Sequence, residues 1–333
     1  MKLPSFPQLL HGFFHDWLVQ QRNTSHHTVL SYRDSWRLFL RFVAARKTKS
    51  VARLDLADLS ANEVLAFLQY TEQERQASIG TRNCRLAALR SFFSFVADRE
   101  PLASAQCSGV LCIPTKRAPQ PALCYLDEDE VTAILAQPDR SKRDGQRDHV
   151  LWSVLYNTGA RIQEALNITP RDLRLESPFH VRLFGKGRKE RICPLWPETV
   201  ALLRALLKRQ PRQVDEPIFV NRYGQPLGAA GVRFKLKHYV AAAAKKVPTL
   251  ASKRVSPHTF RHSTAVSLVA QGVDVTVIRS WLGHASLDTT NHYARANIET
   301  KRKALEKVAP SSKLGKPPRW RRDPDVLVWL DSL

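Results

Sequence analysis

The sequence predicts a mainly α-helical protein of two domains, the second carrying one small β-hairpin. Three observations lead there. Apolar residues recur at helical spacing through much of the chain, Pro101, Pro114, Pro119 and Pro121 interrupt that pattern, and one Gly-Lys-Gly turn joins two short strand-like runs. At 333 residues the chain is long enough for two separate cores.

A helical bundle is expected over residues 1–105. Val29, Tyr32, Trp36, Leu38, Phe39 and Phe42 recur at the spacing of one helix. Ser60-Ala-Asn-Glu63 has the form of a capping box, in which the serine accepts a free backbone N–H and the glutamate reaches back. It opens a run with Val64, Leu65, Phe67 and Leu68 on one side. Leu86, Leu89, Phe92, Phe93 and Phe95 mark a further helix, with Arg82, Arg85 and Arg90 interspersed. The aromatics read as core. The arginines fit two readings, a solvated face or one that contacts phosphate. Residues 106–126, broken by prolines and basic at Lys116-Arg117, are expected to form a linker.

The second domain is expected over residues 127–308. Asp127-Glu-Asp-Glu130 supplies acidic side chains suited to a helix N-terminus. Helices follow near 128–136, 147–157 and 161–167. Phe179–Phe184 and Arg191–Leu195, joined through Gly185-Lys186-Gly187, read as a hairpin. Helices resume near 197–208, 228–245, 258–271 and 274–282, with a last stretch to about Val308. A tail, 309–333, ends in the amphipathic segment Asp325–Leu333.

The chain carries 52 Lys and Arg against 30 Asp and Glu, a net charge of +22. So much self-repulsion points to a polyanionic partner, most commonly nucleic acid. The five cysteines (Cys84, Cys107, Cys112, Cys124, Cys193) lack the spacing of a zinc site or a disulfide framework. They are read as reduced thiols. There is no apolar run near the ~20 residues of a membrane span, and prolines stand where a signal peptide would have its apolar core. A soluble, cytoplasmic protein without a membrane partner is expected.

One constellation carries chemistry. His258-Thr-Phe-Arg261, Trp281-Leu-Gly-His284 and Asn291-His-Tyr293 put two imidazoles, a guanidinium and a phenol in one short region. Thr158-Gly-Ala-Arg161-Ile-Gln-Glu164 adds a second guanidinium, and Lys186 an ammonium on a tight turn. Cleaving a phosphodiester without water needs a nucleophile, clamps on the non-bridging oxygens and an acid for the leaving oxygen. The ordered set Arg, Lys, His-x-x-Arg, His, Tyr resembles the tyrosine recombinase (phage integrase) family. The resemblance covers roughly residues 20–300 and is most specific in Tyr156–Arg161 and Leu282–Leu287. Ala160 is a departure, standing where many members have leucine.

The resemblance implies an N-terminal core-binding, SAM-like helical bundle and an α+β catalytic domain. It implies a DNA breaking and rejoining enzyme in which Tyr293 attacks a phosphate to form a 3′-phosphotyrosyl bond. Arg161 and Arg261 would bind the scissile phosphate, Lys186 would protonate the departing 5′-oxygen, His258 would assist proton removal and His284 would donate to the phosphate. Glu164 matches an acidic position that supports structure. Arg82, Arg85, Arg90, Arg188 and Lys189 are the expected DNA contacts. No metal and no cofactor is implied. The expected partners are double-stranded DNA and further copies of the chain, a tetramer on two sites, with a related recombinase as an alternative partner. The task would be Xer-like resolution or the movement of a mobile element. The rival readings are a type IB topoisomerase and a catalytically silent DNA-binding accessory protein.

Overall fold

The computed structural model describes residues 5–118, 123–185 and 189–283. The chain divides into two compact units, Met1–Pro121 and Ala122–Leu333. The first contains α1 (Phe6–His11), a π-wound stretch (Gly12–Gln21), α2 (His26–Lys47), α3 (Ala61–Gln73), α4 (Ile79–Ala97) and α5 (Ser104–Leu111). The three long helices α2, α3 and α4 each begin at a serine. The hydroxyls of Ser25, Ser60 and Ser78 accept the backbone N–H of Thr28, Glu63 and Thr81, satisfying donors that the helix cannot. The box expected at Ser60 is therefore half formed. The Glu63 carboxylate does not reach back but accepts from Arg46 Nε at 3.0 Å, because a fixed cation on the neighbouring helix competes for it.

Aromatic rings fill this unit's core. Phe13, Trp36, Phe39, Phe67, Phe92 and Phe93 are fully buried, and Trp36 meets Phe92 edge-on at 4.6 Å between ring centres. The expected linker begins later than residue 106. Pro101 opens a 3₁₀ turn, where a missing N–H costs nothing, and α5 follows it. Cys107, Val110 and Ile113 then pack into the same core.

The arginines of α4 make contacts within the unit. Arg82 is buried, and its Nη1 donates to Pro114 O and Asn83 Oδ1, each at 3.0 Å. Arg90 Nη2 donates to Leu111 O at 2.7 Å and also to Ile113 O. Asn83 completes the seam, donating to Lys116 O at 2.8 Å and accepting from Lys116 N at 3.1 Å. Two of the three α4 guanidiniums, Arg82 and Arg90, thus donate to the chain itself. Backbone carbonyls outside regular structure need donors from elsewhere, and side chains of α4 supply them to this segment. Arg85 is half-buried; burial first, and then the charge of Arg75, holds its pKa below the usual arginine value.

The second unit contains α6 (Glu128–Leu135), α7 (Arg143–Thr158), α8 (Ile162–Leu166), β1 (Leu173–Arg174), β2 (His180–Phe184), β3 (Glu190–Pro194), α9 (Pro197–Arg209), α10 (Ala229–Ala243), α11 (Pro257–Ala270) and α12 (Val275–Leu282). At the start of α6 a capping box does form, with Asp127 N donating to Glu130 Oε2 at 2.9 Å. Helix α7 is buried along most of its length and runs through the core. Trp152 stacks on Phe260 of α11 at 5.9 Å. The hairpin forms as expected, pairing Val181 with Cys193 and Phe184 with Glu190, and gains an unexpected third strand at β1. Gly185 N donates to Lys189 O at 2.8 Å, closing the turn. No helix among the described residues is long and apolar enough to cross a membrane. The expected helical stretch to Val308 and the tail lie outside the described residues.

Arg90→Ala removes the donor to two carbonyls and should destabilise the protein by about 1–3 kcal/mol. The midpoint of urea unfolding measures this; an unchanged midpoint would show that water replaces the guanidinium without loss.

Candidate active site

The site is assembled where α7 ends. Gly159 terminates that helix with φ of +58°, a left-handed conformation that a side chain resists. A Cβ there would also stand 2.4 Å from Leu282 Cδ2. Glycine therefore lets the chain turn sharply and lets α12 approach closely. Two residues on, Arg161 opens α8 with its side chain 42% exposed.

Arg161 is held by Glu164. The carboxylate accepts Arg161 N at Oε2 (2.9 Å) and Arg161 Nη1 at Oε1 (2.8 Å). Arg191, on β3, donates to Oε2 from Nη2 at 2.6 Å. Burial by itself raises the Glu164 pKa. The hydrogen bond and charge of Arg191, then the Arg161 N–H, outweigh it and leave the carboxyl below its ordinary value. Arg191 moves the other way: burial disfavours its charge, but Glu164 more than restores it. Both members of the pair are charged.

Arg261 lies on the first turns of α11, which Ser256 caps by accepting Thr259 N. It is 1% exposed. Nη1 donates to Gly159 O at 2.7 Å and Nη2 to Leu282 O at 2.6 Å. The guanidinium therefore bridges the chain just before Arg161 and the end of α12. His258 stands one turn earlier on an exposed position, its ring edge-on to that of His262 at 4.5 Å. Partial burial of its ring, then the charges of Arg261 and Arg161, depress its pKa, so near neutral pH it is an uncharged imidazole able to accept a proton. The same influences are stronger at His262: burial, then His258 and Arg261, bring its pKa down to about 4.

Lys186, Arg188, His284 and Tyr293 lie outside the described residues, but two of their sequence neighbours do not. Gly185, which precedes Lys186, sits beside Arg161; a Cβ on it would be 3.2 Å from Glu164 Oε1 and 3.9 Å from Arg161 Nη1. Gly283, which precedes His284, caps α12 in the left-handed region at φ of +64°. A Cβ on it would be 3.0 Å from Arg191 Cδ. Lys189 is exposed at the foot of the turn. The structure thus brings together Arg161, His258, Arg261 and the residues leading into Lys186 and His284. Tyr239, another phenol of this unit, donates to Asp148 Oδ2 at 2.8 Å, and burial together with that carboxylate raises its pKa. It is a poor nucleophile. Among the described residues no group of three His, Cys, Asp or Glu side chains could hold a metal ion.

The phage integrase family model matches residues 124–300, and the model of the phage integrase N-terminal SAM-like domain matches residues 12–100. The chain belongs to the phage integrase family. It is 40% identical over 332 residues to the putative integrase/recombinase y4rC of Sinorhizobium fredii, covering 100% of this chain and 99% of that one. It is 32% identical over 301 residues to the tyrosine recombinase XerC of Pelobacter propionicus, covering 90% and 95%. Its fold is that of the XerH site-specific recombinase bound to palindromic difH substrate, with a TM-score of 0.68 at 22% identity over 87% of this chain and 81% of that one. The Tn1549 transposon integrase in complex with transposon right end DNA gives 0.66 at 18% identity, over 89% and 98%. The SAM-like bundle and the α+β domain expected of a tyrosine recombinase are both present.

Sequence reading missed two features of this phage integrase. In the sequence Arg191 is no more than the first residue of a strand-like run. A period of two along β3 would have flagged it, since Arg191, Cys193 and Leu195 share the inward side while Ile192 is 58% exposed. The second is the outward face of α10, where Arg233, Phe234, Lys237 and His238 are exposed at spacings of one turn.

The depressed histidines have a consequence for stability. His262 titrates near 4 when folded against an ordinary 6.5, so between those values the unfolded chain binds more protons. Its contribution is fully present above pH 6.5 and is lost as pH falls toward 4, with His258 acting in the same direction. His262→Gln should flatten the fall in urea midpoint between pH 6.5 and 4.5. Equal slopes for the two proteins would refute this.

Proposed function

We propose that this protein is a site-specific DNA recombinase that cuts and rejoins duplex DNA through a 3′-phosphotyrosyl intermediate, with Tyr293 as the nucleophile. The observation that carries the proposal is the convergence of Arg161, His258 and Arg261 with the residues entering Lys186 and His284. In this reading Arg161 and Arg261 clamp the scissile phosphate. Arg261, which donates to Gly159 O and Leu282 O, would reach it only with a shift at those carbonyls. Guanidinium forks suit the charge spread over a pentacoordinate phosphoryl group better than ammonium does. Neutral His258 takes the phenolic proton, Lys186 supplies one to the 5′-oxygen, and His284 donates to a non-bridging oxygen. The ester conserves the energy of the broken bond, and a 5′-hydroxyl of the partner duplex attacks it to restore the backbone.

Duplex DNA would lie against the exposed cations, among them Lys189, Arg188 and the basic face of α10. Arg85 keeps its expected role as a phosphate contact, whereas Arg82 and Arg90 would need to release their carbonyls first. Strand exchange needs four active sites on two duplexes, so the working assembly is a tetramer of this chain, and a mobile element is the task we favour. Xer recombinases are among its relatives, and a transposon integrase shares its fold.

A duplex site recovered by selecting bound sequences from a random pool, then nicked so that religation is blocked, should trap the wild-type protein on DNA. Tyr293→Phe should bind the same site with nearly unchanged affinity and trap nothing. Trapping through another tyrosine, seen as a modified peptide by mass spectrometry, would overturn the assignment.

Lys186→Ala should slow cleavage by about 10²–10⁴-fold, the range for loss of a general acid. A substrate with sulfur at the 5′-bridging position, which leaves without protonation, should recover most of that rate. Recovery for Lys189→Ala instead would move the proton donor to Lys189.

A further inference from the structure

Arg191 lies at the junction of three pieces of the site. Its side chain is 9% exposed and leaves β3 a few residues after the Lys186 turn. On one side Nη2 holds Glu164, whose other oxygen holds Arg161 Nη1. On the other side Nε donates at 3.0 Å to Trp281 O, a carbonyl of the last turn of α12. Cys193, on the same face of the strand, points its thiol at that carbonyl from 3.3 Å. Last-turn carbonyls have no partner within their own helix, and Arg191 and Arg261 between them take two successive ones, Trp281 O and Leu282 O.

Stability alone is a weak reason to bury this cation. A buried ion pair often contributes no more than apolar side chains of similar volume would, because both charges must be stripped of water. What the pair does supply is direction. A guanidinium donates from separate nitrogens in one rigid plane, so grasping Glu164 and Trp281 O together fixes the distance between them. Lysine, with one nitrogen on a flexible stem, cannot hold both.

We infer that Arg191 is a positioning residue for DNA cleavage, fixing where Arg161 stands relative to the end of α12 that leads into His284. This rests on the proposed role of Arg161 as a phosphate clamp. Its role is exerted through Glu164 on one side and the Trp281 carbonyl on the other.

The test uses the full-length protein and the nicked site already described, in two forms. One carries the natural phosphate at the scissile position, and the other a methylphosphonate, which lacks the negative charge that a displaced arginine would fail to neutralise. Arg191→Lys keeps a cation beside Glu164. It should bind DNA within a factor of about two of wild type yet form covalent product about 100-fold more slowly on phosphate, the scale of a small misplacement. On the methylphosphonate the deficit should shrink to less than about 10-fold. Should Arg191→Lys fail to fold, judged by its thermal transition, the pair Glu164→Gln with Arg191→Met removes both charges while keeping the volume, and the same substrate dependence is expected of it. An unaltered rate on phosphate, or an equal loss on both substrates, overturns the inference. Wild-type protein is the control that separates the two levels: no adduct from it defeats the cleavage reading itself, whereas a wild-type adduct with an unaffected Arg191→Lys defeats only the role of Arg191.

Discussion

Both oxygens of one buried carboxylate, Glu164, are engaged by guanidiniums, and the geometry of the site depends on it. The side chain is 4% exposed, as is expected of an anion that must be fully paired. Removing one partner of such a group costs about 3–5 kcal/mol, since the other charge is left stranded. The carboxylate also accepts the backbone N–H of Arg161, so it fixes main chain and side chain together. An arginine 42% exposed would otherwise sample many rotamers. Here its head is tethered by Glu164, which would lower the ordering cost of binding an anion.

The same economy appears at the helix ends. Helices α7 and α12 both stop at left-handed glycines, Gly159 and Gly283, and each exposes carbonyls that need donors. Buried arginines provide them. Arg261 takes Gly159 O and Leu282 O, and Arg191 takes Trp281 O. Each helix end is thereby fixed by a cation near the place where an anionic substrate would bind. Burial of the His258 ring comes first in depressing its pKa, and the charges of Arg261 and Arg161 add to it, so the cations that fix these helix ends also help to keep a nearby imidazole uncharged.

The first unit uses arginine for a different purpose. Arg82 and Arg90 on α4 stitch the irregular segment 111–116 to the bundle through its carbonyls. An arginine among aromatics in a basic protein invites a nucleic-acid reading, yet here the guanidiniums donate to backbone carbonyls of the same unit. The charge count thus overstates the number of cations left at the surface.

Much of this protein was legible in its sequence. Helical periodicity gave α2, α3 and α4 and most helices of the second unit, because a helix that buries one face must repeat its apolar residues at 3.6. Alternation around Gly185 gave the hairpin. The resemblance singled out Arg161, His258 and Arg261, and folding brings these three together. What the sequence could not determine was partnership. Ser60 and Glu63 have the spacing of a capping box, but only the nearness of Arg46 decides that the glutamate turns away. Arg82 and Arg191 look alike as letters, and only the carbonyls and carboxylates that folding brings beside them separate a tie within the bundle from a brace behind the site. Hydrogen-bond partners and desolvation come from residues distant along the chain: 27 positions separate Glu164 from Arg191, and 90 separate Arg191 from Trp281. Local pattern carries no record of contacts at that range, so tertiary structure alone assigns them.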